Sequence, residues 1–201
     1  MSQLNVNTIG ARTGTTISIA SGHTLDAIAL SLVTSGSVSA VTGLTLDNVF
    51  TSSFTNYLFQ FNGTGDTNNI EQTRLRLRAS SSTNTDSDHS FVSSMVYREV
   101  GSSGANGTPE GLINESYFQI AGNWMDNEKF VTEITFIEPQ VSGQGTSIIS
   151  KMAQRYNQGT HSMGVHQGIG VKNGTGSFDG FYFYVDGSQT ITGNYRLYGY
   201  K

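Results

Sequence analysis

The stretch TRLRLRA, residues 73–79, sets Arg74, Arg76 and Arg78 in strict alternation with Leu75 and Leu77. A period of two places the arginines on one face of a β-strand and the leucines on the other, whereas a helix would scatter the arginines around its axis. FTNYLFQF, residues 54–61, repeats the pattern, with Tyr57, Phe59 and Phe61 opposite Leu58 and Gln60. Asn62-Gly63-Thr64-Gly65 follows, and its Asn-Gly step predicts a tight hairpin turn.

Outward from these two segments, further strands are predicted at 91–100, 115–122, 128–138, 148–156, 161–172, 180–186 and 190–201, for a total of about nine. Polar, Gly-rich connectors separate them at 80–90, 101–111, 142–146 and 173–177. Pro109 and Pro139, the two prolines, fit strand ends. Strands of this length with frequent turns predict an all-β chain folded as an antiparallel β-sandwich, jelly-roll-like.

Composition agrees. Ser, Thr, Asn and Gly fill 87 of 201 positions, while charged residues make up 13%. Soluble helices draw on Glu, Lys and Arg for propensity and for pairs four residues apart, so their scarcity favours strands and turns. A net charge of −4 and 21 aromatic residues argue against disorder. The absence of Cys excludes disulfides and thiolate metal sites. A pI near 5.5 argues against nucleic-acid binding, which draws on clustered Lys and Arg. MSQLNVNTIG lacks a basic region followed by an apolar one, and nowhere do 18 apolar residues run together, so neither a secretory leader nor membrane insertion is expected.

The aromatic residues all lie at Phe50 or beyond. Before that point stand apolar pairs spaced by two: Leu4 and Val6, Ile17 and Ile19, Leu44 and Leu46. Residues 26–33, DAIALSLV, fit a short helix or a strand. Strands without aromatic bulk need neighbours to complete a core, and identical copies around a threefold axis would supply them. The expected division is an attachment and trimerisation segment over 1–43 and a β-sandwich domain over 44–201.

Catalytic signatures are weak. No Gly-x-Ser-x-Gly elbow occurs. His161 and His166, five apart, would fall on opposite faces of a strand and make poor joint metal ligands. Asp86-Ser87-Asp88 offers oxygen ligands of the kind Ca²⁺ prefers, without the central Gly and terminal Glu of an EF-hand loop; a turn rich in polar caps explains the same residues. Glu110, Glu115, Asp126, Glu128 and Glu133 would serve glycoside hydrolysis only if loops made two of them converge. No catalytic, cofactor or metal residue is therefore assigned, and no enzyme activity is expected.

Contact residues are better candidates. Arg74, Arg76 and Arg78 suit an anionic glycan or a subunit's carboxylates, or they keep an open sheet face soluble. Tyr182, Tyr184, Tyr198 and Tyr200 alternate with apolar neighbours such as Phe181, Phe183 and Val185. A rigid tyrosine suits sugar stacking or subunit contact, and packing between sheets fits these residues equally well.

The opening LNVNTIGARTGTTISIASGHTL (residues 4–25), with its strand ending in Asn-Thr-Ile, its Gly/Thr turn and its Ser-Gly-x-x-Leu, resembles tail-fibre-like and virion structural proteins of marine, chiefly cyanobacterial, tailed phages. Gly180–Phe183 and the closing Tyr198-Gly199-Tyr200 are similar to the ends of those proteins. The resemblance covers about a third of the chain. It implies a homotrimeric virion appendage, an N-terminal attachment or intertwined β region followed by a globular β-sandwich head; the expected protein assembles in the host cytoplasm, contacts other tail or capsid proteins, and binds a host surface polysaccharide through the outer loops, 80–90 and 101–111, or the sheet of its C-terminal domain. The sequence shows no long coiled-coil or repeated β-helical shaft of the kind extended fibres have, which leaves a short knob or a capsid decoration. Capsid decoration or tail connection without receptor binding, and a polysaccharide depolymerase, are the alternatives.

Overall fold

In a computed structural model, which describes residues 30–65, 71–98, 106–124, 129–157 and 161–201, the chain is a two-layered antiparallel β-sandwich. Thirteen strands and no helix occur among the described residues. They are β1 (Ser31–Val41), β2 (Gly43–Leu46), β3 (Asn56–Gly65), β4 (Glu71–Ala79), β5 (Ser82–Thr83), β6 (His89–Arg98) and β7 (Asn106–Glu115), followed by β8 (Phe118–Trp124), β9 (Lys129–Ile137), β10 (Thr146–Asn157), β11 (His161–Lys172), β12 (Gly180–Val185) and β13 (Ile191–Tyr200).

The larger sheet has eight strands in the order β1-β13-β3-β9-β10-β11-β6-β7. The smaller runs β2-β12-β4, with β5 and β8 both pairing along the far side of β4. Period-two patterning explains the packing. Tyr57, Phe59 and Phe61 of β3 and Phe130, Ile134 and Phe136 of β9 point inward from the larger sheet. Leu75 and Leu77 of β4 and Phe181 and Phe183 of β12 meet them from the smaller one. Phe136 and Phe181 pack with ring centroids 4.8 Å apart, and Phe61 lies between Phe130 at 5.3 Å and Phe183 at 5.5 Å.

Three expectations are corrected. Asn62-Gly63-Thr64-Gly65 is not a turn: β3 runs through it, paired with Ile191–Asn194 of β13 on one side and Lys129–Val131 of β9 on the other. Sheet pairing on both flanks overrides the local preference of Asn-Gly. The connector expected at 101–111 is, from Asn106 onward, strand β7. Pro109 therefore sits inside a strand; β7 is the sheet's edge, where a missing N–H breaks no ladder bond.

The third correction concerns the aromatic-free leader. β1 pairs with β13 of its own chain from Ser31↔Gly199 to Val41↔Ile191, so 26–33 is strand from Ser31 onward. Leu44 and Leu46 of β2 are buried beside β12, as is Val49, and Val33, Val38 and Val41 pack on the same core. From Ser31 onward the leader's strands pair with β13 and β12 of the same chain, so strands late in the sequence bring aromatic bulk to it. The expected boundary after residue 43 falls within β2, and residues 1–29 lie outside the described residues.

Candidate functional site

The seven candidate contact residues divide between two opposite outer faces. Arg74, Arg76 and Arg78 alternate outward on β4, and Tyr182 and Tyr184 alternate outward on the adjacent β12, paired as Tyr182↔Arg76 and Tyr184↔Arg74. Tyr198 and Tyr200 lie on the outer face of the larger sheet, because Leu197 on the same strand is the inward residue.

On the smaller sheet the tyrosines and arginines form one lattice. Tyr182 and Tyr184 stack with centroids 4.7 Å apart and planes 7° from parallel. Gly43 of β2 makes room for them: a Cβ there would lie 2.5 Å from the Tyr182 ring. The Arg76 guanidinium stands 5.3 Å from the Tyr184 ring centroid, and that of Arg74 stands 4.0 Å from the centroid of Tyr117. Tyr117 is a member that sequence reading missed: it falls in the strand expected at 115–122, but only the pairing of β8 with β4 brings it beside Arg74.

The arginines are already committed. Arg74 pairs with Asp186 at 2.8 Å and hydrogen-bonds Gln72. Arg76 donates to the Ser116 carbonyl at 3.0 Å and to its hydroxyl. Arg78 holds Asp47 at 2.6 Å and reaches Thr83 and the Ser81 carbonyl, tying the 80–90 connector to this face. Ser80 and Ser81 turn there with φ of 51° and 62°. Burial raises the pKa of Tyr184 and of Tyr117, and the neighbouring arginines oppose the shift in each case. The face is thus a preorganised lattice of rings and guanidinium groups in which Tyr182 is half-buried and Tyr184 buried.

The larger sheet's outer face is different. Tyr198 neighbours Leu58 of β3 and Leu32 of β1, and Tyr200 neighbours Asn56. Toward β10, β11 and β6 the face becomes aliphatic, with Val92, Val96, Ile149, Val165 and Ile169 all exposed. A shallow groove of about 370 Å³ opens there, lined among others by Val92, Ile149, Ile169, Pro109, Lys151 and Gln167.

Among the described residues the acidic and metal-binding candidates do not assemble. Glu133 is on the outer face of β9, where it accepts a 2.8 Å hydrogen bond from Gln60. Glu110 of β7 instead accepts from the buried Gln119, and Asp126 and Glu128 lie outside the described residues. The Asp86-Ser87-Asp88 loop faces an ammonium: Lys172 pairs with Asp88 and comes within 3.9 Å of Asp86. Among the described residues no group of three or more His, Asp or Glu is placed to hold a metal ion.

Two buried histidines are structural. His89 sits edge-on to Phe118, and its Nδ1 lies 3.1 Å from the carbonyls of Asp86 and Glu115, which fixes the proton on that nitrogen. Burial lowers its pKa and the Lys172 charge lowers it further. His166 points inward from β11, with Gln154 Nε2 3.3 Å from its Nε2, and burial lowers its pKa to about 4. Both rings are neutral in the folded protein at pH 7.

No helix among the described residues is long and apolar enough to cross a membrane. No family model matches the chain, and neither a curated protein nor a solved structure matches it.

Proposed function

We propose that the protein is a non-enzymatic structural component of a phage virion, a tail fibre or compact appendage, that binds a host surface glycan through the outer face of its smaller sheet. The observation that carries the reading is the Tyr182–Tyr184 stack, held on Gly43 and braced by Arg76. Tyr184 is buried, 8% exposed, so it serves as the support, and Tyr182, the half-buried member of the stack, is the ring offered to a sugar, immobilised in advance and so at little entropic cost. The virion assignment draws on the resemblance of residues 4–25 and of the closing strands. Pairing of Arg74 with Asp186 and of Arg78 with Asp47 offsets two of the three positive charges and favours a neutral glycan over a strongly anionic one, while Arg76, bonded to the neutral Ser116, keeps donors for a ligand.

A homotrimer remains part of the reading, with the aliphatic outer face of the larger sheet now its support in place of the leader's need for neighbours. That same face favours a second reading, capsid decoration or tail connection, in which other virion proteins cover it. Antibody labelling of intact virions separates the two. Gold on the tail or its appendages is the expected result; gold confined to the head would replace receptor binding with decoration, and unlabelled particles would end both.

A further inference from the structure

Arg76 stands between two half-buried tyrosines. On one side Tyr182 of β12 is its register partner. On the other, β4 pairs with β8 through Leu75↔Phe118, which brings the residues just before β8 opposite Arg76. The guanidinium donates there to the Ser116 carbonyl and hydroxyl, and Tyr117 is the next residue. The neighbouring row of the same face backs both rings. Tyr184 and Arg74 are themselves register partners; the Tyr184 ring stacks on Tyr182 at 4.7 Å, and the Arg74 guanidinium, held by Asp186, covers Tyr117 at 4.0 Å. Each ring is fixed from one face, which leaves the opposite face for a ligand.

We propose that Tyr182 and Tyr117 are two subsites of one site, and that its ligand is a run of at least two linked pyranose units of a neutral glycan rather than a single terminal sugar. Neighbouring strands lie ~4.8 Å apart, so the backbones that carry the two rings, with β4 between them, are ~10 Å apart, the span of two linked pyranose rings. A ring fixed in advance under each unit supplies apolar area at little loss of side-chain freedom. Arg76 lies midway. It commits Nε and one N–H of Nη2 to the neutral Ser116 and has Nη1 for an acceptor oxygen near the linkage that joins the units.

The inference rests on glycan binding at Tyr182 and adds a second ring to that site; it is independent of the virion assignment. The test uses the full chain. The probes are oligosaccharides of increasing length, from one unit upward, prepared by partial acid hydrolysis of a neutral polysaccharide that the wild type retains. Affinity is expected to rise about tenfold between one unit and two. Tyr117→Ala is expected to flatten that rise, and Tyr117→Phe, which keeps the ring, to preserve it. A wild type that binds one unit as tightly as two, or a folded Tyr117→Ala that keeps the rise, would overturn the proposal while leaving Tyr182 as a single-sugar site. A wild type that retains no polysaccharide would overturn both.

Should Tyr117→Ala fail to fold, saturation-transfer NMR on the wild type decides. Transfer to the ring protons of both units of a bound two-unit sugar is expected, and transfer to one unit alone would overturn the proposal.

Discussion

Phe59 of β3 and Phe181 of β12 meet edge to face across the two sheets, with ring centroids 4.9 Å apart and planes at 70°. Phe181 also contacts Phe50 at 5.8 Å and Phe136 at 4.8 Å, so one ring joins strands β3 and β9, the segment after β2, and β12. Both rings are fully buried. Phe181→Ala is expected to destabilise the fold by about 3–5 kcal/mol, read as a lowered urea midpoint. A loss below about 1 kcal/mol would mean that the sheets do not depend on this contact.

The ion pair between Lys172 and Asp88 predicts an order of effects. The Lys172 side chain is 5% exposed, whereas that of Asp88 is 31% exposed. Removing Asp88 leaves a buried ammonium with the Asn173 carbonyl at 3.3 Å and the Asp86 carboxylate no nearer than 3.9 Å. Removing Lys172 leaves a carboxylate that water reaches. Asp88→Ala is therefore expected to cost about 3 kcal/mol at pH 7, and Lys172→Met clearly less, because its thioether side chain fills the space beside Phe178. Urea titrations of both variants check the order; the reverse order would place the burden on the carboxylate.

The buried histidines predict acid sensitivity. His166 has an unfolded pKa near 6.5 and a folded pKa of about 4, and that of His89 is lowered as well. The unfolded chain therefore binds more protons as pH falls below 6.5. Their contribution is fully present above pH 6.5 and is lost as pH falls toward 4, with His166 accounting for on the order of 2–3 kcal/mol. His166→Gln is expected to flatten the profile between pH 7 and 4.5 in urea titrations. An unchanged slope would assign the acid loss to other groups.

Much of the fold was legible because period-two alternation marks a half-buried strand wherever one face is strongly apolar, as in 73–79 and 54–61. The expected strands at 161–172 and 180–186 match β11 and β12 to within a residue. Strands without that contrast were hidden. β7 carries Gly107, Pro109 and Gly111 and lies at an edge, and β1 is rich in Ser and Gly and draws its order from β13. The Asn-Gly step misled because turn preference is local while sheet pairing is not.

The contact residues were legible as types rather than as a place. Alternation put Arg74, Arg76 and Arg78 on one face and Tyr182 and Tyr184 on one face, but only strand order makes those faces the same. It equally sends Tyr198 and Tyr200 to the other side of the sandwich. The alternation of β11 is present in the sequence as VHQGIGVK, yet which of its two faces meets the core depends on Phe118, whose ring a Cβ at Gly170 would approach to 2.5 Å.

Glycan binding by the stacked tyrosines is the central claim, and an array of bacterial surface polysaccharides screened with the wild type and with Tyr182→Ala tests it most directly. The account predicts that the wild type retains at least one neutral glycan and that the variant, still folded, binds it about tenfold more weakly, equivalent to ~1.4 kcal/mol. Equal retention by both proteins, or no retained glycan at all, would contradict it.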